Sequence, residues 1–123
     1  MTKIAVIEDN PDNRLLVEAM LEDRYDVVLF ADGQSAVEQL PECGTQLILL
    51  DISLPGMDGL DVLKRLKAMP ETAQQPVVAL TAHAMSGDRE RFLGAGFDGY
   101  LSKPILDSDE LSELIDELLK LSK

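Results

Sequence analysis

Leu47-Ile48-Leu49-Leu50-Asp51-Ile52-Ser53-Leu54-Pro55-Gly56-Met57-Asp58-Gly59 is the stretch from which the architecture of this chain follows. Leu47 to Leu50 form an uninterrupted apolar run, closed by the carboxylate of Asp51 and then by a Pro-Gly turn. A short apolar run bounded by turn residues has the pattern of a strand buried on both faces. Asp51 then stands at the carboxyl end of that strand, and in open α/β sheets this edge is where ligands bind. An Asp in that position either caps the following turn or serves as a reactive carboxylate, and the stretch alone leaves both readings open.

The flanking sequence repeats the pattern. Lys3 to Ile7 reads as a buried strand running into Glu8-Asp9, Tyr25 to Phe30 as a second strand closed by Asp32-Gly33, Val77 to Leu80 as a fourth ending at Thr81, and Gly99 to Ser102 as a weak fifth broken by Lys103-Pro104. Helical patterns lie between them. Asn10 suits an N-cap and Pro11 the first helical position, with Leu16, Val17, Met20 and Leu21 as the core stripe. Ser35 to Leu40 reads as a short helix stopped by Pro41. Asp58 caps a helix with Leu60, Leu63 and Leu66 on one side, ending before Pro70. Ser86 caps a helix through Arg91 and Leu93, ended by Gly94 and Gly96. Asp107 and Glu110 have capping-box spacing ahead of an apolar face of Leu111, Leu114, Ile115, Leu118 and Leu119. Strands alternating with helices imply βαβ units, a parallel sheet and helices on both of its faces. The expectation is an α/β fold with a five-stranded parallel sheet in the flavodoxin-like order 2-1-3-4-5. Periodicity alone leaves other orders open.

Composition bounds the function. The 123 residues suit one domain, residues 1–123, and carry 46% hydrophobic and 28% charged residues. Eleven basic residues stand against 23 acidic ones, a formal charge of −12 that repels nucleic acid phosphates and anionic membrane surfaces. Cys43 is the lone cysteine, which excludes an internal disulfide and a multi-cysteine metal site. The apolar start is too short for a signal peptide and no segment is long enough to span a membrane, so a cytoplasmic domain is expected.

The strand ends carry the chemistry. Parallel strands share one carboxyl edge, and the residues there are Glu8 and Asp9, Asp51, Thr81 and Lys103. Three neighbouring carboxylates repel and raise one another's pKa, and a divalent cation relieves this. Hard oxygen ligands favour Mg²⁺, which typically combines one or two carboxylates with a phosphate. The Thr81 hydroxyl and the Lys103 ammonium suit phosphoryl oxygens. Phosphoryl transfer needs chiefly alignment and charge neutralisation, and a carboxylate nucleophile gives an aspartyl phosphate.

Glu8-Asp9, Leu49-Leu50-Asp51-Ile52-Ser53-Leu54-Pro55-Gly56-Met57-Asp58-Gly59, Leu80-Thr81-Ala82, Tyr100 and Lys103-Pro104, in order and at their spacing, resemble the receiver domains of two-component response regulators of the chemotaxis type. The resemblance covers essentially the whole chain. It implies Asp51 as phosphoacceptor, Asp9 as direct metal ligand, Glu8 acting more through water, and the Ser53 backbone carbonyl as a third protein ligand. It implies Mg²⁺ as the ion, with Mn²⁺ as an alternative. Thr81 and Lys103 match the groups that hold phosphoryl oxygens, Tyr100 the aromatic switch that moves with Thr81, and Lys103-Pro104 a bond that is cis in the family. Glu8 departs from the Asp that is also common there. The implied partners are a histidine kinase or histidine phosphotransfer protein and a downstream effector protein, with no nucleic acid and no membrane. The implied chemistry is self-phosphorylation and slow dephosphorylation, not multiple-turnover catalysis.

Other readings remain beside it. The Met1 start favours a complete short protein, and a receiver from a hybrid kinase has the same sequence pattern. A pseudo-receiver binds partners without phosphorylation. A phosphohydrolase needs an acid-base at the position of Ser53, and a flavodoxin needs a hydroxyl-rich loop after the first strand. Without the resemblance, Tyr100 is a half-buried aromatic. His83 borders the site, tuning hydrolysis with Ser53, or is a solvent-exposed loop residue. Leu15 and Ala19 fall off the first helix's core stripe as an apolar patch, and the acids of the last helix form its solvated face.

Overall fold

The computed structural model describes residues 2–52, 54, 56, 58–81, 88–102 and 108–121. Five strands alternate with five helices: β1 (Lys3–Ile7), α1 (Pro11–Leu21), β2 (Asp26–Phe30), α2 (Gly33–Cys43), β3 (Leu47–Asp51), α3 (Gly59–Ala68), β4 (Val77–Thr81), α4 (Asp88–Ala95), β5 (Gly99–Ser102) and α5 (Ser108–Leu121). The strands form one parallel sheet in the order β2-β1-β3-β4-β5. This is the expected fold. The Leu47–Leu50 run is apolar throughout because side chains alternate between two covered faces. Leu47 and Leu49 join Ile4, Val6, Val78 and Leu80 under Val17 and Leu21 of α1 and Leu111 and Ile115 of α5. Ile48 and Leu50 join Ala5, Ile7, Val77 and Ala79 on the other face, under Ala36, Leu40, Val62, Leu66 and Phe92.

Several element limits differ from expectation for local physical reasons. Tyr25 lies before β2, because its N–H is taken by the Leu21 carbonyl at 2.9 Å and cannot enter the ladder, which starts with Lys3 opposite Asp26. Pro41 does not stop α2. It falls in the last turn, where only the bond to the Val37 carbonyl is forfeited, and the helix runs to Cys43. There Gly44 closes it with φ +70° and the Lys3 ammonium donates to the Cys43 carbonyl at 3.0 Å. The start of α2 is set by Asp32, whose carboxylate accepts from the Ser35 N–H and is held below the usual carboxylate range by that bond. Leu16 and Leu60 are corrections to the core. Leu16 is 41% and Leu60 36% exposed, while Val62, at the complementary position of α3, is fully buried beside Leu63 and Leu66. Gly94 lies inside α4, and the reversal falls at Gly96, with φ +119°. The α5 face is as read, except that Asp116 is not merely solvated: it accepts from the Tyr25 hydroxyl and pairs with Arg24 at 2.9 Å. The expected caps Ser86 and Asp107 lie outside the described residues.

Candidate functional site

Strand order reverses between β1 and β3, since the chain winds to β2 on one side and to β4 and β5 on the other. Ligands of open α/β sheets bind at the carboxyl ends of the strands flanking such a point. Ile7 pairs with Leu50, so the next residues, Glu8 and Asp51, stand side by side at the carboxyl ends of β1 and β3. One carboxylate oxygen from each of Glu8, Asp9 and Asp51 lies within 4.8 Å of the other two. Glu8 and Asp51 are each 1% exposed, whereas Asp9 is open to solvent. Three hard oxygen donors, two buried and one facing water, suit a Mg²⁺ ion that keeps part of its hydration shell.

The surrounding backbone fixes these positions. The last sheet bond on this side runs from the Glu8 N–H to the Phe30 carbonyl at 3.0 Å. Asn10 caps α1, accepting from the N–H groups of Asp12 and Asn13 at 2.9 and 3.1 Å, and its own N–H donates to Glu8 Oε2 at 3.2 Å. On the β3 side the Ile52 N–H donates to the Leu80 carbonyl and the Gly59 N–H to the Ile52 carbonyl, both at 3.0 Å. Asp58 caps α3 through the Asp61 N–H.

Thr81 is 4% exposed and ends β4 opposite Ser102. Strand alternation gives it the same face as Ala79, whose register partner is Tyr100. Tyr100 is half-buried, its ring stacked on Phe92 at 5.8 Å with Phe92 edge-on to Phe97 at 6.0 Å. The structure thus gathers Glu8, Asp9 and Asp51 and sets Thr81 and Tyr100 on neighbouring strands. Ser53, His83, Lys103 and Pro104 lie outside the described residues. Two residues near the site were not singled out from sequence. Gly59 is part of the decisive stretch, and its role shows only in the Asp51 and Ile52 backbone that a side chain there would strike. Arg14 gave no signal, because its targets are backbone carbonyls.

An acidic cluster at the switch point of this sheet is the arrangement of a receiver, and the chain belongs to the response regulator receiver domain family, whose model matches residues 4–116. It is a receiver domain of two-component signal transduction. The histidine-protein kinase BarA of Escherichia coli is 44% identical over 116 residues, covering 94% of this chain and 12% of BarA, so the chain spans a small part of that relative. The polar-differentiation response regulator DivK of Brucella ovis is 41% identical over 107 residues, covering 85% of this chain and 87% of DivK. The receiver domain of sensor histidine kinase PA1611 from Pseudomonas aeruginosa superposes with a TM-score of 0.87 at 38% identity, covering 97% of this chain and 98% of that one. That receiver was crystallised with a magnesium ion coordinated in its active site cleft. Among the described residues no helix is long and apolar enough to cross a membrane.

Proposed function

We propose that Asp51 accepts a phosphoryl group from the phosphohistidine of a partner histidine kinase or phosphotransfer protein. The observation that carries this reading is the convergence of the Glu8, Asp9 and Asp51 carboxylates within 4.8 Å at the switch point. An Asp51 oxygen attacks phosphorus, the phosphorus–nitrogen bond to the donor imidazole breaks, and the imidazole leaves with a proton. Later a water attacks phosphorus, the acyl phosphate bond breaks, and inorganic phosphate leaves with the Asp51 carboxylate restored. Mg²⁺, held by Glu8, Asp9, Asp51 and the Ser53 carbonyl, would neutralise charge on the phosphoryl oxygens; Mn²⁺ has the same ligand preference. Thr81 and Lys103 hold phosphoryl oxygens, and Ser53 and His83 tune access of water.

Output follows from the added charge. It draws Thr81 toward the phosphoryl group, and Tyr100, on the same sheet face, turns into the space left behind. An effector protein reads the altered surface around β5 and α5. The phosphodonor has a docking face beside the acids: Leu15 is 62% and Leu16 41% exposed, and with the exposed Ala19 they line the side of α1, the helix that begins two residues after Asp9. The same chemistry serves a single-domain regulator and a receiver within a hybrid kinase.

Incubation with acetyl phosphate and Mg²⁺ should add one phosphoryl group to the intact mass, and chelation of the metal or Asp51→Asn should prevent it. Absence of labelling with every donor would favour a phosphorylation-independent binding module. Rapid multiple-turnover release of phosphate from small esters would favour a hydrolase.

A further inference from the structure

We propose that Arg14 is a positioning residue that holds the Glu8–Asp9 loop in a cation-ready shape before any cation arrives. The inference rests on the receiver reading of the acidic pocket. One guanidinium nitrogen, Nη1, donates to the Glu8 carbonyl at 2.9 Å and to the Asp9 carbonyl at 3.0 Å. The Arg14 backbone N–H donates to the Asn10 carbonyl, also at 3.0 Å. A single residue of the first turn of α1 therefore grips three consecutive carbonyls of the loop that carries two of the three acids.

The loop needs such a hold. Beyond the Glu8 N–H the ladder register ends, and Arg14 takes hold of the Glu8 and Asp9 carbonyls there. The three carboxylates repel one another at this distance, and Asp9, the exposed member, is the one able to swing toward water. A guanidinium keeps its charge at every relevant pH, and its bonds to carbonyls are charge-assisted. Its grip is on backbone carbonyls rather than on a carboxylate. The arrangement parallels the outer partners that orient ligands in metal sites.

A brace and a bystander cation make opposite predictions. Removing a mere positive charge beside three acids would tighten Mg²⁺ binding, whereas removing a brace weakens it. Arg14→Met deletes both charge and grip. Arg14→Lys keeps the charge but ends one bond short of the Nη1 position that makes both bonds, and it carries the test if the Met variant does not fold. Two measurements decide, on the intact chain: amide hydrogen exchange without metal, and Mg²⁺ affinity by calorimetry. The expected result is exchange at Asn10 about tenfold faster in both variants, unchanged exchange in β3, and Mg²⁺ bound about tenfold more weakly. Unchanged exchange at residues 8–10, or tighter Mg²⁺ binding by Arg14→Met, would overturn the proposal. If the unmodified protein takes up no Mg²⁺, the receiver reading of the pocket fails, while exchange at Asn10 still decides whether Arg14 braces the loop.

Discussion

At Gly59 an added Cβ would lie 2.7 Å from the Ile52 Cα and 3.0 Å from the Asp51 carbonyl oxygen. Both are backbone atoms, so neither can swing aside, and relief requires α3 to back away from the end of β3. Gly59→Ala is therefore expected to destabilise the fold by about 2 kcal/mol, read by urea denaturation, and to slow acetyl phosphate labelling of Asp51. Polar residues that close apolar runs were legible in the sequence because the contrast is abrupt: Glu8, Asp51 and Thr81 each follow four or more buried residues. Arg14 was not, since every residue offers a carbonyl and no letter marks which one a guanidinium will reach.

Helices expose the limit of periodicity. In α3 the spacing Leu60, Leu63, Leu66 suggests a stripe, yet the helix lies on the sheet rotated toward Gly59, Val62, Leu63 and Leu66. Which edge of an apolar stripe is covered depends on the helix's roll against the sheet, and that is set by packing. Leu66→Ala is expected to cost about 3 kcal/mol, whereas Leu60→Ala should stay within about 0.5 kcal/mol; denaturation midpoints separate them. The same reasoning applies to Leu16 of α1, which lies roughly 100° around the helix from the buried Val17 and roughly 140° from the buried Leu21. Strands were read more closely than helices, because both faces of this sheet are covered and no roll remains to be decided. Only β2, with an exposed residue at its start and three half-buried residues after it, was misjudged, by one residue at its start.

Contacts between distant parts of the chain had no sequence signature. Tyr25, 5% exposed, donates to Asp116, and Arg24 pairs with the same carboxylate, joining the end of α1 to α5. Burial, reinforced by the bond to Asp116 and by that residue's charge, pushes the Tyr25 phenol up from 10.0 to about 12. Asp116 is in turn held below the usual carboxylate range, chiefly by the Tyr25 hydroxyl and further by Arg24. The unfolded chain gives up the phenolic proton near 10.0 while the folded chain keeps it to about 12. Tyr25's contribution is thus complete below that window and is lost as pH rises through it. Tyr25→Phe should remove this part of the alkaline decline, visible as a smaller difference between denaturation midpoints at about pH 9 and about pH 11 than the unaltered protein shows. Asp116 lines a groove with Thr2, Thr45, Gln46 and Pro76, beside the amino ends of β1, β3 and β4, and so at the pole remote from Asp51. The final helix is consequently tied in its second half, and its first half begins after the strand that carries Tyr100. A push delivered near that beginning would meet Leu111 and Ile115 seated on the sheet and Asp116 anchored beyond them, so the helix would have to shift as one rod rather than bend at its start.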